Sequence, residues 1–213
     1  RLNMKILAID LGKFHSMCCF FDTNTQQHSF WNAATTRAYL TTVLKTHQVD
    51  LVVMEACGPS GWINDLCQEF GLKTLVCSTN EEAWRWHNVK RKTDKDDALK
   101  LARLTMMRQL RAVHVPSHQV REHRTLIKYR KTLGGRINRI KNSIRSLFAN
   151  RGIEIDRGKR VWYTGRELID SYRKSLAECS LEELWRGQLD IELTQLDSLD
   201  EQLADVERRL EVI

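Results

Sequence analysis

"KILAIDLG", Lys5–Gly12, is a short aliphatic run that carries one acid, Asp10, and stops on glycine. A run this short and this apolar reads as a buried strand. A carboxylate among aliphatic neighbours is costly unless it is paired, hydrogen-bonded or metal-bound, although a lone acid at a strand end is also an ordinary turn residue. Working outward, "SMCCFFD" (Ser16–Asp22) and "QQHSFWN" (Gln26–Asn32) follow after short turns, which predicts an antiparallel meander. Residues Thr35 to His47 place apolar side chains at 39, 40, 43 and 44, at helical spacing. "DLVVMEA" (Asp50–Ala56) is too apolar to have a wet face, so it is an interior strand, and it ends on a second acid, Glu55. A helix from about Trp62 to Phe70 stops at Gly71, and "KTLVCST" (Lys73–Thr79) is a fifth strand.

Three strands, a helix, a strand, a helix, a strand and a helix form the order of a ribonuclease-H-like α/β domain, an order that other three-layer folds share. In the ribonuclease-H arrangement the strands ending on Asp10 and Glu55 are parallel neighbours. Their acids then meet at the sheet rim where open α/β folds place active sites.

The chain has 213 residues, is 42% hydrophobic and carries a net charge of +7. That length predicts one good core and a smaller extension. From Gly165 onward there are six Arg or Lys against thirteen Asp or Glu, so a basic body precedes an acidic tail. The body's charge calls for a polyanionic partner, and Arg121–Arg151, with ten Arg or Lys opposed only by Glu122, is its densest stretch. The six cysteines form no C-x-x-C pair. Neither a disulfide framework nor a zinc site is indicated, and a cytoplasmic, nucleoid-associated protein of a bacterium is expected, with no membrane partner.

Beyond about Pro116 the period changes. Leu126, Leu133, Ile140 and Leu147 fall seven apart, with Ile137 and Ile144 between them. Leu189, Leu196, Leu203 and Leu210 repeat the pattern, with Leu199, Val206 and Ile213 between. Two such seams predict an α-helical coiled-coil arm that folds as an antiparallel hairpin or joins copies as a dimer or tetramer. Gly134-Gly135, inside the first helix, should weaken or bend it.

"KTDKDDA", Lys92–Ala98, packs three acids into four positions. Thr93 can cap a helix running to about Met107, with Asp96 completing a capping box and all three acids favoured by the helix dipole. Asp94 and Asp97 are three apart and share a face. They can therefore meet Asp10 and Glu55 while Asp96 caps. Four carboxylates from two strands and a helix suit a pair of Mg²⁺ or Mn²⁺ ions and phosphodiester chemistry. Lys90, Arg91 and Lys92 would hold phosphate at the entrance. Arg130, Lys131, Arg136, Arg139, Lys141 and Arg145 are the nucleic-acid-binding candidates of the long basic helix.

"LAIDLGKFHS", "VVMEACGPSGWINDLCQEFGLKTLVC", "KRKTDKDDALKLARL" and "LGGRINRIKNSIRSLF" together resemble the DEDD transposases of the Piv-invertase and "IS one-ten" insertion-sequence family. The resemblance implies a RuvC-like, ribonuclease-H-like mixed five-stranded sheet with flanking helices over residues 1–112, and a helical coiled-coil arm over 113–213. It implies a recombinase acting on DNA under the guidance of a structured bridge RNA. Its catalytic and metal-binding tetrad falls on Asp10, Glu55, Asp94 and Asp97, with Asp96 as a spacer. Two departures are visible: Thr79-Asn80 stands where the family has Asn-Pro, and no serine here matches the family's nucleophile, which lies in a further C-terminal domain. An N-terminal fragment is therefore expected. A RuvC-type Holliday-junction resolvase would use the same acids. An actin-like ATPase could open with the same "IDLG" turn but needs two such lobes. A non-catalytic RNA-binding dimerisation module would need only the basic helix.

Overall fold

Alternation along the first strand sorts the core into two layers. In β1 (Lys5–Asp10), Leu7 and Ile9 point to one side, and Ile6 and Ala8 to the other. The computed structural model describes residues 3–78 and 93–213, in two compact units, Arg1–His118 and Gln119–Ile213. The first unit continues with β2 (His15–Asp22), β3 (His28–Ala34), α1 (Arg37–Thr46), β4 (Leu51–Glu55), α2 (Ser60–Glu69), β5 (Lys73–Cys77) and α3 (Asp94–Met106). The strands form one sheet in the order β3-β2-β1-β4-β5. β1 pairs antiparallel with β2, and β2 with β3, whereas β1–β4 and β4–β5 are parallel. This is the ribonuclease-H-like arrangement.

Leu7, Ile9, Val52 and Met54 pack against Leu40, Val43 and Leu44 of α1 and Ile63 and Leu66 of α2. On the opposite face Ile6, Ala8, Val53 and Cys77 pack against Ala98, Leu101 and Ala102 of α3. Each fully buried aliphatic side chain here contributes about 1.5–3 kcal/mol. After α3 the chain returns along β5: Val113 N–H donates to the Val76 carbonyl at 2.8 Å, and Cys77 bridges Ala112. That return covers what would otherwise be an open sheet edge.

The third strand starts later than the predicted Gln26. Asp22 accepts hydrogen bonds from the backbone N–H groups of Asn24 (2.8 Å) and Thr25 (3.1 Å), and Gln26 adopts φ 59°, so the turn takes these residues. At the other turn Gly12 is obligatory, since a Cβ there would lie 2.1 Å from the His15 carbonyl oxygen.

In the second unit, α4 (His118–Ala149), α5 (Arg166–Asp170) and α6 (Leu184–Glu211) share a third core. Ser143 donates to Glu192 at 2.8 Å, and Arg130 Nε donates to Glu207 at 2.8 Å. Later residues of α4 thus meet earlier residues of α6, and the two helices form an antiparallel hairpin. Leu133, Ile137, Ile144 and Leu147 of the first seam are buried, with Leu189 and Leu196 of the second and, outside the predicted seam, Leu193. The seam opens toward the α6 C-terminus, where Ile213 is exposed.

α4 runs unbroken for 32 residues through Gly134-Gly135, because buried Leu133 and Ile137 flank the glycines and hold the helix in place. In the segment after α4, Val161, Trp162 and Ile169 are buried in the hairpin core, joined by Ile153, Ile155 and Tyr172. A pair of helices alone buries little, and this segment supplies a third side. Arg166 ties it to α6 through two bonds to Asp197 (2.8 and 2.9 Å) and holds Asp170 at 3.0 Å.

Among the described residues no helix is long and apolar enough to cross a membrane.

Candidate active site

The β1–β4 register ends with Ile9 opposite Met54, so the next residue on each strand is Asp10 and Glu55. Both continue the alternation of Ile6, Ala8 and Val53, on the face covered by α3. Both are half-buried. Cys57, just beyond β4, registers them together. Its thiol pKa is raised chiefly by desolvation, and the charges of Glu55 and Asp10 push it the same way, against a hydrogen bond involving Ser60.

Thr93 and Asp96 form a complete capping box at the start of α3. Thr93 N–H and Oγ–H donate to Asp96 Oδ2 at 2.9 and 2.7 Å, and Asp96 N–H donates to Thr93 Oγ1 at 3.4 Å. These bonds hold the Asp96 carboxyl below the usual carboxylate range. Asp96 is committed to the cap and points away from the sheet-facing stripe. Replacing Thr93 with alanine should lower stability by about 1 kcal/mol. Chemical denaturation of Thr93→Ala checks this, and no change in midpoint would refute the cap's contribution.

Asp97 is buried (8% exposed) and continues into buried Ala98, Leu101 and Leu104. Asp94, exposed, extends that stripe by one turn. The acids thus fall into two pairs, one at adjacent strand ends and one on the first turn of the helix that packs on the same sheet face. Among the described residues, no three His, Cys, Asp or Glu side chains close into a single ion-holding group. The donor set is carboxylate oxygen throughout, the chemistry that hard divalent cations take. Lys90, Arg91 and Lys92, and Thr79-Asn80, lie outside the described residues.

The basic candidates of α4 separate into different environments. Arg130 is engaged by Glu207. Lys141 and Arg145 lie over the Trp162 ring, at 5.4 and 5.2 Å from its centre, and Arg145 donates to the carbonyls of Arg157 and Gly158 at 3.4 Å. Lys131, Arg136 and Arg139 are exposed. Arg124 and Lys128, not singled out in the sequence, are exposed at helical steps from Lys131. The signal that would have found them is the phase of the apolar seam: they lie opposite it.

Residues 7–150, more than half of the chain, match a family model described as transposase, the DEDD type of IS110 elements. The transposase for insertion sequence element IS1111A of Coxiella burnetii is similar, at 24% identity over 211 residues, 99% of this chain and 56% of that protein. The chain therefore spans little more than half the length of that relative. With the sheet order, the paired strand-end acids and the capped acidic helix in place, the chain belongs to the IS110-type DEDD transposase family.

Proposed function

We propose that this chain is the metal-dependent phosphodiester-cleaving portion of an insertion-sequence transposase, a site-specific DNA recombinase. The observation that carries the reading is the adjacency of Asp10 and Glu55 at parallel strand ends, on the sheet face covered by α3. Asp10, Glu55, Asp94 and Asp97 would hold a pair of Mg²⁺ or Mn²⁺ ions, which supply activation of the attacking oxygen and stabilisation of the leaving oxygen.

The chain's own residues do the positioning. Strand pairing fixes Asp10 against Glu55, and burial fixes the Asp97 side chain. The Thr93–Asp96 box sets where α3 begins, so it orients Asp94 and Asp97 without contributing a ligand. Lys90, Arg91 and Lys92 precede α3 directly in the chain and would draw phosphate to the acids. Exposed cations of α4 would retain nucleic acid, including the structured guide RNA implied by the family motifs. The hairpin would join copies of the chain into a dimer or tetramer.

Mn²⁺ titrated into the chain and followed by electron paramagnetic resonance should show about two bound ions per chain, displaced by Mg²⁺. Free Mn²⁺ signal throughout the titration would overturn the metal reading. Sequencing the nucleic acid that co-purifies should return one structured RNA, and a random population would overturn the guide.

A further inference from the structure

We infer that the outer face of α4 is a docking surface for the phosphate backbone of a double helix, with Gly135 at the point of closest approach. The inference rests on the nucleic-acid reading of α4 above and narrows it to a surface and a ligand form.

Arg124, Lys128, Lys131, Gly135 and Arg139 follow one another at steps of three or four residues, so they share one face of the helix. All five are exposed, and the buried seam of Leu133, Ile137 and Ile144 lies on the other side. The row runs along an unbroken helix and spans about 22 Å. No acid interrupts it. By contrast Arg130, Lys141 and Arg145 hold partners within the hairpin, so the row, with exposed Arg136 beside it, is charge that the helix presents to an outside polyanion.

Two observations favour a duplex over a single strand. Single-strand binding draws on aromatic side chains on which bases stack, and the row carries none: Tyr129, exposed, lies off it. A duplex instead presents one negative charge per about 1.7 Å of axis, which a row of cations along one helix face meets without touching bases.

Gly135 occupies the one position of the row that lacks a charge. A Cβ there, or at Gly134, would meet nothing within 4 Å. The folded chain therefore gives no packing reason for glycine, although glycine is among the poorest helix formers. A bare backbone between Lys131 and Arg139 lets a bulky partner approach the helix axis while cations on both sides reach its phosphates. The acidic α6 of a second copy is the competing occupant, and the test includes it.

The test uses fluorescence anisotropy of the full chain with a 20-base-pair DNA duplex, a 20-base-pair RNA duplex and a 20-nucleotide single strand, at several salt concentrations. Either duplex should bind at least tenfold tighter than the single strand. The triple variant Lys128→Ser, Lys131→Ser, Arg139→Ser should lose at least tenfold in duplex affinity and flatten the salt dependence, by about 0.9 in log–log slope per contact removed. Gly135→Ala should raise the melting temperature and still weaken duplex binding several-fold. Equal affinity for duplex and single strand overturns the duplex inference and leaves the nucleic-acid reading standing. Loss of binding to all three probes in the wild-type chain overturns both. Unchanged duplex affinity in the triple variant, accompanied by dissociation of a dimer in sedimentation, assigns the face to a second copy. Unchanged affinity in Gly135→Ala overturns the close approach.

Discussion

Asp10→Asn and Glu55→Gln are each expected to abolish Mn²⁺ binding and to reduce phosphodiester cleavage by on the order of 10³-fold or more. Both substitutions keep the side chain's shape and remove only its charge, so the strands should pair as before. The two acids occupy equivalent positions on neighbouring parallel strands, one residue beyond the Ile9–Met54 pair. Loss of either therefore removes half of the strand-end donors. Asp97→Asn should behave alike, because the buried residue sits on the stripe of α3 that packs on the same sheet face. Asp96→Asn is the control: its carboxylate is occupied by Thr93, and it should retain metal. Calorimetric Mn²⁺ titration of the four variants, with circular dichroism to check folding, reads the difference. Equal losses for Asp96→Asn and Asp97→Asn would mean that crowding of charge, rather than a defined ligand set, governs binding. Full Mn²⁺ affinity in Asp10→Asn would remove β1 from the site.

Phe148→Ala is expected to destabilise the helical unit by about 3–5 kcal/mol. The ring is fully buried, edge-on to Tyr172 at 5.4 Å and to Trp185 at 5.8 Å. Edge-to-face contacts of this kind add about 0.5–1.5 kcal/mol to the area buried. Phe148 also stands where α4 ends and the segment containing Trp162 and Ile169 packs back. Its removal leaves a cavity bounded by three elements. Urea unfolding followed by tryptophan fluorescence should show the loss, and Phe148→Leu should recover much of it. An unchanged transition in Phe148→Ala would show that the hairpin seam alone holds the unit.

Much of this architecture is legible in the residues. β1 and β4 announce themselves as short apolar runs closed by an acid, since a carboxylate survives there only at a strand end. The heptad seams announce two long helices, and the capped start of α3 is legible in Thr93 and Asp96, which are local partners three residues apart. Gln26 reads as strand from the sequence because the Asp22 turn that claims it depends on backbone conformation. The third side of the helical core was not legible: Val161, Trp162 and Ile169 follow no fixed period, and only packing against α4 and α6 reveals them as core. The division of the basic residues was hidden for a related reason. Composition counts charges, but only the position of Trp162 and Glu207 shows which cations are held by partners of the same unit.

The central place of β1 in the sheet has a consequence in time. Its partner on one side arrives early, as β2 follows it after a short turn and β3 then pairs with β2, but β4 reaches it only after the α1 crossover. α3 comes later still and packs on both. Contacts so far apart in the chain form slowly, after the local ones. A polypeptide emerging from the ribosome thus holds Asp10 long before Asp97 exists, and the proposed nuclease stays unassembled until nearly half of the present chain has been made. Synthesis itself would delay the proposed cutting of DNA until the surfaces that would retain nucleic acid are close behind.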